Sequence, residues 1–298
     1  MRSLLKRGDS GEDIKLLQTA LNLKADGNFG PATEAAVKNF QGSHGLQIDG
    51  LVGSTTQKLI FKGDLEKHLD TQITLNPFKI YYLDSDEYNS GPNKPEYLFL
   101  HHTAGGDDPF DTVNQWNNDT RGKIATEFVI GGPSANGKSI KHDGVIVKCM
   151  PDGGYAWHLG DNGSQHMHVN SVGIEVCNFG PLTKSGNIYK TYTGGVVHPD
   201  QVCDLGFKFR GYQYYHKYSD AQIEALKDLI LFIAKRDGID IKKGLVEWLN
   251  TKTPIEAFEF SQDAWAGKVK GMLTHTHTRK DKSDMSPQPN LIAMLKSL

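Results

Sequence analysis

The chain has 298 residues, a length that predicts about two domains. Hydrophobic residues make up 38% of it, enough for a sizeable core. Its 33 Lys and Arg against 35 Asp and Glu give a net charge of -2, without the basic excess that drives binding to nucleic acid or anionic membranes. Apolar runs such as residues 229–234 are far shorter than the ~20 residues of a membrane span. We therefore expect neither a nucleic-acid partner nor a membrane span.

The first residues and the cysteines predict where the chain is made. The sequence turns polar directly after Leu5, without the apolar stretch of a secretory signal peptide. The three cysteines, Cys149, Cys177 and Cys203, cannot all pair and form no CxxC motif. We expect a monomer made in a reducing cytoplasm.

An internal repeat opens the chain. The pattern Asp-Gly-x-apolar-Gly-x-x-Thr occurs at residues 26–33 and again at residues 49–56. Asp-Gly favours a tight turn, and a helix is expected after the second glycine of each copy. Other apolar residues fall at helical spacing: Ile14, Leu17, Leu21, Ala36, Val37 and Phe40. The pattern predicts a compact three-helix unit over residues 1–61.

This stretch resembles a known module. Arg7-Gly8-Asp9-Ser10-Gly11, Leu16-Leu17-Gln18, the two Asp-Gly turns and Phe40-Gln41 together resemble the peptidoglycan-binding module found at the ends of many cell-wall hydrolases. The resemblance implies peptidoglycan as partner, and we expect Asp26 and Asp49 to bind it. We divide the chain into a binding domain (1–62), a linker and lead-in (63–94) and a catalytic domain (95–298).

The larger part of the chain alternates short β-type runs with helical segments. The runs lie at residues 97–100, 127–130, 145–147 and 172–176, and a long amphipathic helix is predicted over Asp220 to Asp237. We predict an α/β domain with a mixed central sheet flanked by helices, preceded by the small all-α domain.

Residues 132–139 fit the phosphate-loop pattern G-x-x-x-x-G-K-[ST]. A phosphate loop needs a helix directly afterwards, because the helix N-terminus helps to bind the phosphate. A turn and a strand-like segment follow instead, so the sequence predicts a hairpin loop at this position.

Histidines and acidic residues gather at two places. His101 and His102 follow the apolar run at residues 97–100, whereas His275 and His277 precede Lys282 and Asp284 near the end of the sequence. Imidazole and carboxylate ligands suit zinc, and a catalytic zinc keeps three protein ligands and a water. Spacing alone leaves the ligand set open.

Five motifs in one order resemble a known enzyme family. They are Leu100-His101-His102-Thr103-Ala104, Glu127-Phe128-Val129-Ile130, Tyr155-Ala156-Trp157-His158-Leu159-Gly160, Asn170-Ser171-Val172-Gly173-Ile174-Glu175, and Thr274-His275 with Lys282-Ser283-Asp284. Together they resemble the zinc-dependent N-acetylmuramoyl-L-alanine amidases of type 2, which include bacteriophage lysins and are related to peptidoglycan recognition proteins. The resemblance implies a zinc cleft that cuts the amide between N-acetylmuramic acid and L-alanine.

The resemblance also implies roles for individual residues. It implies His101, His275 and Asp284 as zinc ligands and Glu175, Lys282 and His158 as catalytic residues. Substrate binding is expected at Trp157, Thr126 and Glu127. His277 stays a rival to His275, because residues two apart on an extended strand point the same way. His102, the strand neighbour of His101, is expected to point away.

The leading hypothesis is an endolysin in which zinc activates a water for amide cleavage. In this hypothesis, the endolysin is made in the host cytoplasm and reaches the wall through a membrane pore. Two alternatives are a non-catalytic peptidoglycan-recognition protein and a zinc peptidase acting within the stem peptide. Region 179–218 is rich in aromatic residues, which fit either a glycan-facing wall or the core of a small hairpin.

Overall fold

The computed structural model describes residues 5–60, 78–160 and 163–298. The chain divides into two compact units, Met1–Pro77 and Phe78–Leu298. Within the predicted linker and lead-in, residues 63–77 lie outside the described residues.

Residues 5–60, the described part of the first unit, contain three helices, as predicted. They are α1 (Glu12–Ala20), α2 (Pro31–Ser43) and α3 (Ser54–Ile60). Pro31 suits the first turn of α2, where its missing N–H costs no hydrogen bond. The helices enclose one apolar core, formed by Leu5, Ile14, Leu17, Phe29, Val37, Val52 and Ile60.

A six-stranded mixed sheet forms the centre of the second unit. The described strands of this unit, in chain order, are β1 (Lys79–Ile80), β2 (Asn89–Ser90), β3 (Tyr97–His102), β4 (Phe128–Ile130), β5 (Ile146–Lys148), β6 (Gly154–Tyr155), β7 (Ser171–Val176), β8 (Pro181–Ser185), β9 (Ile188–Lys190), β10 (Val196–Val197), β11 (Val202–Phe209), β12 (Tyr212–His216) and β13 (Gly271–Thr274). The central sheet has the order β1-β5-β4-β7-β3-β13. Only the β4–β5 pair is antiparallel.

The aromatic region forms a second sheet. Strands β8 to β12 pair in the order β10-β9-β8-β12-β11, and every pair is antiparallel. Strands β2 and β6 form a separate two-stranded ribbon.

The described helices of the second unit are α4 (Pro109–Asn117), α5 (Gln165–Val169), α6 (Asp220–Asp237), α7 (Leu245–Thr251), α8 (Pro254–Ala257), α9 (Gln262–Trp265), α10 (His275–Thr278) and α11 (Pro289–Leu295). The bounds of α6 are those predicted from its apolar spacing. The Ser219 side chain caps its start, and Gly238 ends it with a φ of 71°. None of the described helices is both long and apolar enough for a membrane crossing.

Helices cover both faces of the central sheet, which confirms the predicted fold class. On one face Leu98 and Leu100 of β3 join a core with Leu229 of α6. On the other face Val129 of β4 packs in a cluster with Val113 of α4. Because side chains alternate along a strand, the two residues that end β3 point to opposite faces.

Candidate active site

Three buried side chains converge at the ends of two neighbouring strands. His101 is in β3, and His275 directly follows β13, which pairs parallel with β3. The Nδ1 atoms of His101 and His275 lie 3.2 and 3.0 Å from the same oxygen, Oδ2 of Asp284. Within the described part of the chain, these residues are the group of three whose ligand atoms lie within 4.8 Å of one another.

The protonation states of His101 and Asp284 suit a metal ion. Burial lowers the pKa of His101 to about 4, so its ring is neutral at pH 7. Burial opposes ionisation of Asp284, but its interactions with His275 and His101 hold the pKa of this carboxyl well below its usual range. Neutral imidazole and ionised carboxylate are the forms that bind metals. The buried Nε2 of His275 also has no hydrogen-bond partner. Two imidazoles and one carboxylate match the donor set of a zinc site with an open position.

His158 lies behind His101. Its Nδ1 is 3.0 Å from His101 Nε2, and its Nε2 is 2.7 Å from Ser171 Oγ. Gly173 makes this approach possible, because a Cβ there would lie 2.6 Å from Thr126 Cγ2 and 3.2 Å from His158 Nδ1. The contacts suit a residue that orients His101.

The structure separates His102 and His277 from the trio. His102 Nδ1 lies 3.0 Å from the Tyr218 hydroxyl. His277 Nδ1 accepts the Thr274 N–H at 2.9 Å, and its Nε2 lies 2.7 Å from the Ala257 carbonyl oxygen. The chain turns helical at His275, so residues two apart point to nearly opposite sides instead of the same side. The geometry therefore brings His275, and not its rival, to Asp284.

A cavity of about 440 Å³ opens beside the trio and is lined by Glu175, Lys282, His158 and Thr126, among others. Glu175 is the register partner of His101 in the neighbouring strand β7. Its Oε2 is buried without a hydrogen-bond partner. Burial, and secondarily the Asp284 carboxylate, raise the pKa of Glu175 well above its usual range. Glu175 is thus a buried carboxyl group with a raised pKa near the metal trio.

Two of the expected substrate-binding residues lie outside this cavity. Both Glu127 carboxylate oxygens accept hydrogen bonds from the Arg236 guanidinium, at 2.5 and 2.9 Å, and Glu127 lines a different cavity of about 210 Å³. Glu127 thus lies outside the cavity beside the trio and is paired with Arg236; its role in substrate binding stays a prediction. Trp157 packs edge-on against His168, with ring centroids 4.9 Å apart, and is not among the residues lining the larger cavity.

Asp26 and Asp49 stabilise their own turns in the first unit. Asp26 Oδ1 accepts the Asn28 N–H, and Asp49 Oδ1 accepts the Leu51 N–H, both at 2.8 Å. Both side chains stay exposed. Contact with peptidoglycan stays a prediction for both residues.

The phosphate-loop look-alike is a connection between antiparallel strands. It lies between β4 and β5, whose residues Ile130 and Ile146 pair. The prediction of a hairpin loop is confirmed, and the described loop has no helix after Ser139.

Sequence reasoning missed the residues that hold the Asp284 segment. The Tyr218 hydroxyl accepts the Ser286 N–H at 3.4 Å, and Gln288 Nε2 donates to the His216 carbonyl oxygen at 2.8 Å. These contacts join segments about 70 residues apart, so nothing near Asp284 in the sequence indicates them. The one signal in the sequence was the aromatic character of region 179–218.

Comparison with known proteins identifies the family of the chain. Residues 91–284 match the family model described as N-acetylmuramoyl-L-alanine amidase, and the chain belongs to that family. Residues 10–60 match a model for a putative peptidoglycan binding domain, which supports peptidoglycan as partner.

The curated relatives match a short part of the chain. The zinc D-Ala-D-Ala carboxypeptidase of Streptomyces albus G is 42% identical over 66 residues, 20% of this chain and 26% of that protein. A spore cortex-lytic enzyme of Bacillus cereus is 42% identical over 65 residues, 20% of this chain and 25% of that protein. The chain thus spans about a quarter of their length. Among solved structures, the N-acetylmuramyl-L-alanine amidase AmiD from E. coli, in complex with anhydro-N-acetylmuramic acid-L-Ala-D-gamma-Glu-L-Lys, shows 18% identity and a TM-score of 0.32 over 67% of this chain and 79% of its own.

Proposed function

We propose that the chain hydrolyses the amide bond between N-acetylmuramic acid and L-alanine of peptidoglycan, with zinc held by His101, His275 and Asp284. The observation that carries this proposal is the convergence of both Nδ1 atoms on Asp284 Oδ2, at 3.2 and 3.0 Å, beside a cavity in a member of the amidase family. Zinc supplies a nucleophile at neutral pH by lowering the pKa of water from 15.7 to about 7.

The residues around the trio have separate tasks in this proposal. Glu175, whose pKa burial raises, holds a proton in the cavity and donates it to the leaving L-alanine amine. The Lys282 ammonium lies on the same cavity and stabilises negative charge on the carbonyl oxygen. His158 orients His101 through its 3.0 Å contact.

Product analysis tests the proposal. Purified peptidoglycan treated with the zinc-loaded chain should gain L-alanine amino termini and no reducing sugars. New amino termini within the stem peptide would support the peptidase alternative, and no product would support the recognition protein. Glu175→Gln should keep the zinc content and slow turnover by about 10²–10⁴-fold.

The proposal includes the two-part organisation of the chain. In this proposal residues 1–62 are the wall-binding domain and residues 95–298 the catalytic domain; the two compact units, Met1–Pro77 and Phe78–Leu298, and the two family matches support a chain of two parts. A fragment of residues 1–62 should sediment with insoluble peptidoglycan. If the fragment stays in the supernatant while the full chain sediments, the binding role is wrong.

The role of a bacteriophage endolysin belongs to the same proposal. A wall-binding domain joined to an amidase suits lysis of whole walls, so the chain should lower the turbidity of a wall suspension. Release through a membrane pore predicts that cells expressing the chain lyse only when a pore-forming protein is co-expressed.

A further inference from the structure

One wall of the cavity beside the metal trio is formed by the second sheet and by the residues that lead into it. Phe179, Pro181, Thr183, Tyr192 and Tyr212 line this side. None of these side chains carries a charge. Tyr192 and Tyr212 are 70% and 42% exposed, so both rings are accessible to a ligand. The core of this sheet is filled by other aromatic side chains, such as Tyr215 and Phe209, which are 0% and 1% exposed. The exposed rings are therefore not needed as filling for a hairpin core.

The exposed ring of Tyr192 is held in place. Its hydroxyl donates to the Ala104 carbonyl oxygen at 2.9 Å, a contact between the turn after β9 and the loop after β3. The turn itself is fixed, because Thr191 Oγ1 accepts the Gly195 N–H at 3.0 Å. A ring that is already ordered loses little conformational entropy when a ligand covers it.

The cleft continues beyond Tyr192. A second cavity of about 640 Å³ shares Thr103, Ala104, Glu175, Phe179 and Tyr192 with the first. The two cavities adjoin at these shared residues, so Tyr192 and Glu175 line both.

We propose that Phe179, Tyr192 and Tyr212 form a glycan-binding wall, so that the preferred substrate is a sugar chain carrying the stem peptide. This inference rests on the proposed function, in which the cleaved amide joins a peptide to a sugar. Aromatic faces pack against the C–H faces of sugar rings, and an uncharged wall suits the neutral N-acetylated sugars of the glycan. The stem peptide carries charged groups, which gain nothing from this wall. The second cavity is lined by acidic residues that the first lacks, Asp107, Asp108 and Asp111, and Arg121 lines both.

Two soluble substrates test the proposal, and substitutions in the aromatic wall separate its effect from that of the wall-binding domain, which is the same in every variant. One is N-acetylmuramic acid carrying a stem peptide. The other is a tetrasaccharide of the glycan's N-acetylated sugars that carries the same peptide. The zinc-loaded full chain should have the higher kcat/KM on the tetrasaccharide. Tyr192→Ala and Tyr212→Ala, made separately, should each reduce this preference by about tenfold. Tyr189→Ala is the matched control, because Tyr189 lies in the same sheet against Tyr214, at 5.2 Å, and does not line the cavity.

The outcomes separate this proposal from the proposed function. A wild-type chain that cleaves both substrates equally well would overturn the glycan-binding wall. So would variants that lose the same fraction of kcat/KM on both substrates, since the rings would then affect the fold or the reaction itself. If the wild-type chain releases no L-alanine amino terminus from either substrate, the proposed function fails instead.

Discussion

Gln18 and Gln41, 23 residues apart, make the same set of hydrogen bonds in the two copies of the repeat. Each buried amide nitrogen contacts the Asp carboxylate, a backbone carbonyl oxygen and the Thr hydroxyl of its own copy. These distances are 2.7, 2.9 and 3.1 Å for Gln18 and 2.8, 2.9 and 3.3 Å for Gln41. Each amide oxygen accepts the N–H of the Asp-Gly glycine at 2.9 Å. The sequence repeat is therefore a repeat of one hydrogen-bond network.

Gln41→Ala should lower the free energy of unfolding of residues 1–62 by about 1–3 kcal/mol, because it leaves buried polar groups without partners. Gln18→Ala should have a similar effect. Gln47→Ala is the control, since Gln47 is exposed, and it should stay within about 0.5 kcal/mol of the wild type. Urea unfolding followed by circular dichroism measures all three. Equal stability of the Gln41 and Gln47 variants would contradict the structural role of the network.

The two aspartates predict how the stability of this fragment depends on pH. The N–H of Asn28 and the Gln18 amide lower the pKa of Asp26, and the N–H of Leu51 and the Gln41 amide lower that of Asp49. Since the folded pKa lies below the unfolded value of about 3.9, their contribution is present above that pH and is lost as the pH falls through the folded pKa.

The melting temperature of the fragment should therefore fall as the pH decreases below about 5. The substitutions Asp26→Asn and Asp49→Asn keep an oxygen acceptor at each turn but remove the group that titrates in this range. The double variant should show a smaller decrease over the same pH range. An unchanged pH dependence would show that other groups control the acid unfolding.

The parts of the fold that sequence predicted depend on local patterns. The apolar spacing and Ser219 cap of α6 lie within one segment, so its bounds followed from the sequence. The alternation along β3 likewise separates His101, which contacts Asp284, from His102, which contacts Tyr218. Both are short-range properties that hold whatever the rest of the chain does.

The features that could not be predicted from the sequence depend on contacts between distant segments or on very short elements. Glu127 is paired with Arg236, 109 residues further along the chain, and nothing near Glu127 in sequence indicates this partner. The rivalry between His275 and His277 arose because four residues of strand run directly into four residues of helix at His275. A period of 2 or of 3.6 residues is not distinguishable over so short a segment.

Tyr218 connects two elements near the metal trio, which predicts an effect on zinc binding. Its hydroxyl accepts the Ser286 N–H at 3.4 Å and lies 3.0 Å from His102 Nδ1, so it ties the segment after Asp284 to β3. Tyr218→Phe removes both contacts without changing the ring. We expect zinc affinity to fall by about tenfold, as measured by competition with a chelator.

Tyr215→Phe is the matched control for this substitution. Tyr215 is also fully buried, but its hydroxyl donates to the Phe209 carbonyl oxygen within the second sheet, at 2.6 Å. It should keep the zinc affinity of the wild type even if the free energy of unfolding decreases. Equal loss of affinity in both variants would mean that general destabilisation, and not the tie to the Asp284 segment, controls metal binding.

The last prediction concerns the ligand set itself. Alanine in place of His101, of His275 or of Asp284 should in each case abolish stoichiometric zinc, because the two ligands that remain bind zinc weakly. His102→Ala and His277→Ala should keep one zinc per chain, since their rings contact Tyr218 and Ala257 instead of Asp284. His277 is fully buried, so its variant is expected to be less stable. Zinc is therefore measured by mass spectrometry on the folded fraction after gel filtration. If His277→Ala loses the metal in that fraction while His275→Ala retains it, the second ligand is assigned to the wrong histidine.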